Sequence, residues 1–365
     1  MQIHRIAIIG LGLIGGSLGK ALVEKGYEVM AVDKDSETLD WGLRLGAATR
    51  VTQELAVGIL DAPLIILATP VGAVENILAQ ISPHLQPGTI VTDVGSVKAE
   101  LSRQAERMLP PGVDFVGGHP MAGKEMTGVT GADARLFMNA YYVLTPGHNC
   151  TQAALEVITD LVRQVGAIPV IMDALKHDRA VAAVSHLPHL VAVALAQTAG
   201  KLEAVQQGTL ALAAGSFRDG TRVAESSPVM WQDICAANPG MILEALQGFR
   251  ANLDELEAAV RSGDGVQIAQ AFAAAGKVRT EYKHQIAGKL TGQVELAVAI
   301  PNEPGALGSI TKALGKANIN IVSIEVARVG EGLQGSVVLG FQGQPTAAKA
   351  LSIIENLGLS ARFIE

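Results

Sequence analysis

Cysteine is nearly missing from this chain of 365 residues: Cys150 and Cys235 are the only two. Two thiols cannot build a disulfide framework, and they suit a reducing compartment, so a disulfide-stapled secreted fold is excluded. Charge is scarce as well, at 17%, and leans acidic, with 28 basic against 35 acidic residues and a net charge of -7. That balance argues against general affinity for nucleic acid or a membrane surface. The opening MQIHRIAIIG lacks the charged start and apolar core of a secretory signal and reads as a short strand. The expectation is a soluble, cytoplasmic protein.

What is abundant is apolar: 49% of residues are hydrophobic, which suits a well-buried enzyme, and the length implies two or three domains. Ala180–Ala199 is long enough to span a bilayer. It carries His186, Pro188 and His189, with Lys176, Asp178 and Arg179 crowded before it. Ionisable groups at mid-membrane cost several kcal/mol, so the expectation is a helix buried in a domain or subunit core.

Over residues 1–172, short apolar runs alternate with helical patterns. Ile3–Ile9, Glu28–Asp33, Leu64–Thr69, Thr89–Asp93, Phe115–Gly117, Tyr141–Thr145 and Ile168–Met172 read as strands. Ile14–Lys25, Val71–Ile81 and Lys98–Met108 read as helices. Such alternation predicts an α/β, doubly wound, mostly parallel sheet of Rossmann type. Residues 173–288 read as an all-helical domain, with Val181–Thr198, Met241–Arg261 and Val266–Gln285 rich in alanine and leucine. Residues 293–365 read βαββαβ, a small ferredoxin-like domain, with strands Val294–Ile300, Ile319–Val326, Ser336–Phe341 and Ser360–Ile364. Its helices are Ala306–Ala317 and Ala347–Asn356, and Gly288–Gly292 is the expected junction.

The first strand runs straight into Gly10-Leu11-Gly12-Leu13-Ile14-Gly15, and a helix follows. Gly10 permits the tight turn, Gly12 lets backbone approach a pyrophosphate, and Gly15 allows close helix packing, while the helix start at Leu13 and Ile14 offers free N–H groups. An acid, Asp33, stands 18 residues beyond Gly15 at the end of the second strand, where it can accept from a ribose diol. Thr69 and Pro70, ending the third strand, are assigned to the same site. Asp33 repels a 2′-phosphate and favours NAD over NADP; the adjacent Lys34 pulls the other way. Further on, Gly117-Gly118-His119-Pro120-Met121-Ala122-Gly123 holds an imidazole in a constrained loop, and Asp93-Val94-Gly95-Ser96-Val97-Lys98 joins a strand to a helix. Together these point to a dehydrogenase in which His119 takes a proton while nicotinamide takes a hydride. His186 and His189, three apart, have a spacing compatible with a metal, but no third ligand accompanies them and no metal is expected.

GLGLIGGSLG, DVGSVK and GGHPMAGKE, with Ser185–His189, Gly215–Arg222 and Ser227–Trp231, together resemble the prephenate/arogenate dehydrogenase family of tyrosine biosynthesis. The resemblance runs in order through the first 285 residues. The tail, with Asn302-Glu303-Pro304-Gly305-Ala306-Leu307, resembles an ACT domain, a module that binds regulatory amino acids. The resemblance implies His119 as the catalytic histidine and Ser96 as the serine hydrogen-bonded near it. It implies His189 as a substrate contact, Arg222 as the carboxylate-binding arginine, and Gly215 and Trp231 as pocket lining. Lys124 and Glu125 are counted with the substrate contacts, although Lys124 stands where the family varies. It further implies a helical domain that forms a homodimer, and an effector, tyrosine, at Asn302, Pro304, Gly305, Ala306 and Leu307. The implied reaction is oxidative decarboxylation of prephenate to 4-hydroxyphenylpyruvate with NAD; arogenate, or both substrates, stays open. Two other readings remain: a dehydrogenase of another small hydroxy acid or imine, and a dinucleotide-dependent amino-acid sensor without turnover.

Overall fold

The computed structural model describes residues 3–124, 126–287, 293–301, 303–327 and 335–364. The contacts divide the chain into two compact units, residues 1–251 and 252–365. Glu125, Asn302 and the expected junction Gly288–Gly292 lie outside the described residues.

Among the described residues, the first unit is built on strands β1 (Arg5–Ile9), β2 (Glu28–Val32), β3 (Arg50–Thr52), β4 (Leu64–Leu67), β5 (Ile90–Asp93), β6 (Asp114–Pro120), β7 (Tyr141–Pro146) and β8 (Ile168–Ile171). Between them run helices α1 (Leu13–Glu24), α2 (Ser36–Arg44), α3 (Leu55–Gly58), α4 (Val74–Ile81), α5 (Ala99–Met108) and α6 (Gln152–Gln164). The spatial order is β3-β2-β1-β4-β5-β6-β7-β8. Strands β1 to β6 are parallel, β7 runs antiparallel to β6, and β8 runs with β7. The reversal matches the connection: among the described residues no α-helix lies between β6 and β7, and parallel neighbours are usually joined by one. Alternation along β1 sends Ile6 and Ile8 to one face, packed with Leu18 and Leu22 of α1 and Ile158 of α6. Ala7 and Ile9 face the other side, with Leu78 and Ile81 of α4 and Leu101 of α5.

Helices α7 (Ala174–Val181), α8 (Leu187–Val205), α9 (Gly215–Thr221) and α10 (Pro228–Ala237) follow, and α11 (Pro239–Ser262) carries the chain across the unit boundary. Residues Ala182–His186 form a π-helical turn that joins α7 to α8 as one continuous helix. That run, Ala174–Val205, is long and apolar enough to cross a membrane, with mean hydropathy 1.5, yet only 22% of the window is buried. The helix expected to be covered is therefore largely bare in the single chain, with Val184 71% and Val205 83% exposed.

The second unit holds α12 (Gly265–Ala287) and then β9 (Gln293–Ile300), α13 (Ala306–Lys316), β10 (Ser323–Ala327), β11 (Gly335–Gln342), α14 (Gln344–Asn356) and β12 (Ala361–Phe363). Its sheet is antiparallel in the order β10-β11-β9-β12. Leu296, Val298, Leu339 and Phe341 bury one face against Ile310 and Leu314 of α13 and Ile354 of α14. This is the ferredoxin-like order that βαββαβ predicts.

Candidate active site

The glycine loop between β1 and α1 fits a dinucleotide's phosphates. Gly10 has φ +94°, and a Cβ there would lie 2.6 Å from the carbonyl oxygen of Ala68; one on Gly15 would lie 2.1 Å from that of Gly10. Gly12 is different: a Cβ would meet nothing, so the backbone opens onto free space. Gly12 is also the N-cap of α1, with no side chain capping it, which leaves the first N–H groups, at Leu13 and Ile14, available to an anion. The Asp33 carboxylate accepts from the amides of Leu11 (2.8 Å) and Asp35 (3.1 Å), tying the loop to the end of β2. Each oxygen keeps a second lone pair for a diol. Thr69, next to Pro70 after β4, packs its methyl against Gly10, and its buried hydroxyl has no partner among the described residues. An open cradle, an uncapped helix start, an acid and an orphaned hydroxyl thus surround one strand edge.

His119 is not in a loop. It is the penultimate residue of β6, opposite Val143 of β7. Its Nδ1 lies 2.8 Å from Nε2 of His177, with the rings edge to face at 78°. The Nδ1 of His177 lies 2.8 Å from Oδ1 of Asp178. Asp178 also accepts the amides of Lys98 and Ala99, both at 2.8 Å, at the start of α5. This fixes the tautomers: a carboxylate only accepts, so His177 donates from Nδ1 and accepts at Nε2, and His119 donates from Nδ1. His119 Nε2 is left with a bare lone pair. The ring's pKa lies well below 6.5, first through burial, then through His177, Lys98 and His186, so the imidazole is neutral at pH 7. Ser96 lies in the turn before α5, and its hydroxyl has no partner among the described residues; the group bonded to His119 is His177.

A second cluster begins at the π-helical turn, which brings His186 and His189 to the same indole. His189 stacks on Trp231 with ring centres 4.3 Å apart, and His186 meets it edge-on at 5.9 Å. His189 donates from Nδ1 to the Ser185 carbonyl (2.9 Å), leaving its Nε2 as an acceptor. The buried Trp231 N–H has no partner among the described residues. His186 is buried, which pushes its pKa down to about 4. Asn238 approaches His186 Nδ1 at 3.4 Å and donates to the Asp178 carbonyl at 2.9 Å. The two clusters are therefore one connected network running from His119 to Trp231 and His189. Gly215 opens α9 and Arg222 follows it, on a turn packed against α8, the helix that carries His189.

Lys124 is placed elsewhere. Its ammonium pairs with Asp133 at 2.7 Å, and the Asp133 amide is held by Ser17 of α1, beside the nucleotide helix. In the second unit, Pro304 precedes Gly305, which has φ +91° and caps α13 without a side-chain bond, while Ala306 is buried and Leu307 packs on the core. No group of three metal-ligating side chains occurs among the described residues. Sequence reasoning missed His177, Asp178 and Asn238; the only available signal was a buriable His-Asp pair heading an apolar helix.

Three family models match. They are prephenate dehydrogenase, nucleotide-binding domain, over residues 18–171; prephenate dehydrogenase, dimerization domain, over 173–274; and ACT domain over 294–357. Prephenate dehydrogenase of Bacillus subtilis is 32% identical over 96% of this chain and 95% of its own length. Cyclohexadienyl dehydrogenase of Zymomonas mobilis is 35% identical over 76% of this chain and 96% of its own length. Among solved structures, prephenate dehydrogenase from A. aeolicus in complex with hydroxyphenyl propionate and NAD+ is similar at 30% identity and TM-score 0.73, covering 77% of this chain and 99% of that one.

Proposed function

Because the chain belongs to the prephenate dehydrogenase family, we propose that it converts prephenate to 4-hydroxyphenylpyruvate and CO2 with NAD, in tyrosine biosynthesis. When bound, the dinucleotide supplies the hydride acceptor. The observation that carries the reading is the hydrogen-bond chain that leaves His119 Nε2 as an unprotonated acceptor on a half-buried ring. In this reading Nε2 takes the proton of the substrate's ring hydroxyl as the carbinol C–H bond gives up its electron pair. The ring carboxylate leaves as CO2, and its bonding electrons complete the aromatic ring. His177 and Asp178 hold the imidazole in the productive tautomer, and charge developing on it is met by the carboxylate two bonds away. Gly10, Gly12, Leu13, Ile14 and Gly15 hold the phosphates, Asp33 the ribose, and Thr69 and Pro70 close that edge.

Substrate recognition falls to the second cluster. Arg222 suits bidentate carboxylate binding, which lysine does not reproduce. Trp231 and His189 offer an aromatic wall, an indole N–H and an imidazole acceptor to the substrate, with Gly215 as lining and Ser96 close to the hydroxyl. Prephenate is favoured over arogenate because the carboxylate in this network, Asp178, is buried and already turned to two amides and His177, so it does not face an ammonium group on the substrate. Two copies pair through the helical domain, covering the bare face of α8. The ACT domain takes a small molecule, and tyrosine at the Pro304–Leu307 turn is the reading that suits an enzyme making tyrosine's precursor. The domain assignment 1–172, 173–288 and 293–365, for nucleotide, substrate and regulation, belongs to the same proposal.

A matrix of prephenate and arogenate against NAD and NADP, with and without tyrosine, tests this. The expected result is the highest kcat/KM for prephenate with NAD, lowered by tyrosine without competition against prephenate. A preference for arogenate or NADP overturns the substrate or cofactor assignment, and purely competitive tyrosine places it in the active site instead.

A further inference from the structure

Lys98 is among the largest fully buried side chains of the chain, and the reading above gives it no task. Its ammonium is paired with the equally buried Asp93 and also donates to the Gly118 carbonyl at 2.8 Å. The other Asp93 oxygen accepts the Gly118 amide at 3.0 Å. Both polar ends of Gly118, the residue before His119, are therefore held by this one ion pair.

The sheet explains why such a device is placed there. Strand β5 pairs with β6 from Ile90 and Asp114 only as far as Thr92 and Val116, while β6 runs on to Pro120. Beyond Val116 the ladder on the β5 side has ended, and the side chains of Asp93 and Lys98 take its place. The two glycines before His119 have no room for a side chain. A Cβ on Gly117 would lie 2.3 Å from the Thr145 hydroxyl and 3.3 Å from the Lys98 stem. One on Gly118 would lie 2.5 Å from the Asp93 carbonyl oxygen. A buried ion pair is a poor stability device, since apolar residues of similar volume often serve as well. Here it also holds the backbone of a strand whose two glycines leave no room for a Cβ against Thr145, Tyr142 and the Asp93 backbone.

We propose that Asp93 and Lys98 are the positioning pair of the reaction, fixing the His119 ring at the end of β6 and keeping a cation beside it. This rests on His119 as the base. The groups acting on that ring are His177 from α7, Lys98 from the turn before α5 and His186 from the π-helical turn; Asp178 stands behind His177, Asp93 behind Lys98, and Tyr142 of β7 lies against Gly118. Of the pair, Lys98 acts on the ring and pushes its pKa down, though less than burial and His177 do.

The test is Asp93→Asn/Lys98→Met, which keeps the shape and removes both charges, with kcat followed against pH. Misplacing a catalytic group by about an ångström costs on the order of 10²-fold, and a fall of that size is expected. The acid limb of kcat should also move to higher pH, because the cation that disfavours ring protonation is gone. An unchanged kcat, or a lower kcat with an unmoved limb, overturns the proposal. His119→Asn alongside separates the two readings: full activity there removes the base itself, whereas loss of activity there beside an unaffected double variant removes the pair alone. In the unaltered protein, the Gly118 amide should exchange with solvent as slowly as that of Val116. Exchange at the rate of an unpaired loop amide overturns the clamp, whether or not the double variant folds.

Discussion

The two ends of the network are built on opposite plans. At the β6 end, Asp93, Lys98, His177 and Asp178 are all buried, and their contacts close on one another and on the backbone around them. At the α8 end, the Trp231 N–H and the His189 Nε2 stand without partners among the described residues, on helices whose apolar faces are largely bare. Under the proposed function, the difference separates chemistry from recognition. Proton transfer needs a group held within a fraction of an ångström, so it is locked by a core that one chain completes alone. Recognition is left with open hydrogen-bond capacity, which suits a surface finished by a substrate and a second subunit.

The sharpest way to break that division is His119→Asn. Removing a general base typically costs 10²–10⁴-fold, and kcat should fall on that scale while dinucleotide affinity, measured by fluorescence titration, stays near its original value. A normal kcat would mean that proton transfer is not located at β6. Asp178→Asn probes the same end one step back. An amide can donate where the carboxylate accepted, which allows His177 to take the other tautomer and competes with the bond to His119 Nδ1. The expected loss is on the order of 10²-fold in kcat, because the base remains present but is no longer held in one tautomer. If kcat is unchanged while folding is intact, the relay is scaffolding only.

How far the sequence disclosed each end follows from the same contrast. The cofactor edge was legible because its physics is local: a strand, three glycines with different steric needs, a helix start and an acid after the next strand. His119 is legible as a residue but its setting is not: two glycines suggest a loop, whereas they are strand positions with no room for a Cβ against Thr145, Tyr142 and the Asp93 backbone. His177 and Asp178 were legible only as charged neighbours of an apolar helix. Their role depends on α7 meeting β6 and α5 across 58 residues of sequence from His119, a separation that no local periodicity encodes. The reversal at β7 was hidden because hydrophobic alternation carries no strand direction. The π-helical turn was hidden too: an extra residue rotates the helix face by about 100°, but a run as apolar on every side as Ala180–Ala199 has no stripe to register the shift.

Recognition should respond differently from chemistry. Arg222→Gln removes charge-assisted hydrogen bonds of about 1.5–3 kcal/mol, which corresponds to roughly a 10- to 100-fold rise in KM for prephenate. Because such binding is present in ground and transition states alike, kcat should change little. Steady-state kinetics decide it: a fall in kcat with an unchanged KM would place the arginine among the groups that act on the transition state and erase the division between the two ends.

The smallest effect tests the joint between them. His186 sits where the two clusters meet through Asn238, and burial holds its pKa near 4, below the 6.5 of a free imidazole; His119 is depressed in the same sense. A histidine whose pKa is lowered by folding takes up its proton more readily in the unfolded chain. Its contribution is therefore intact above pH 6.5 and is lost as the pH falls from there toward about 4. Each such group can contribute a slope of at most about 1.4 kcal/mol per pH unit. Urea midpoints measured across that window should fall with acidity, and the slope should lessen in His186→Gln, which cannot take up the proton. An equal slope in that variant would assign the acid sensitivity to the His119 end alone, and the joint would then behave as part of the recognition surface and not of the catalytic core.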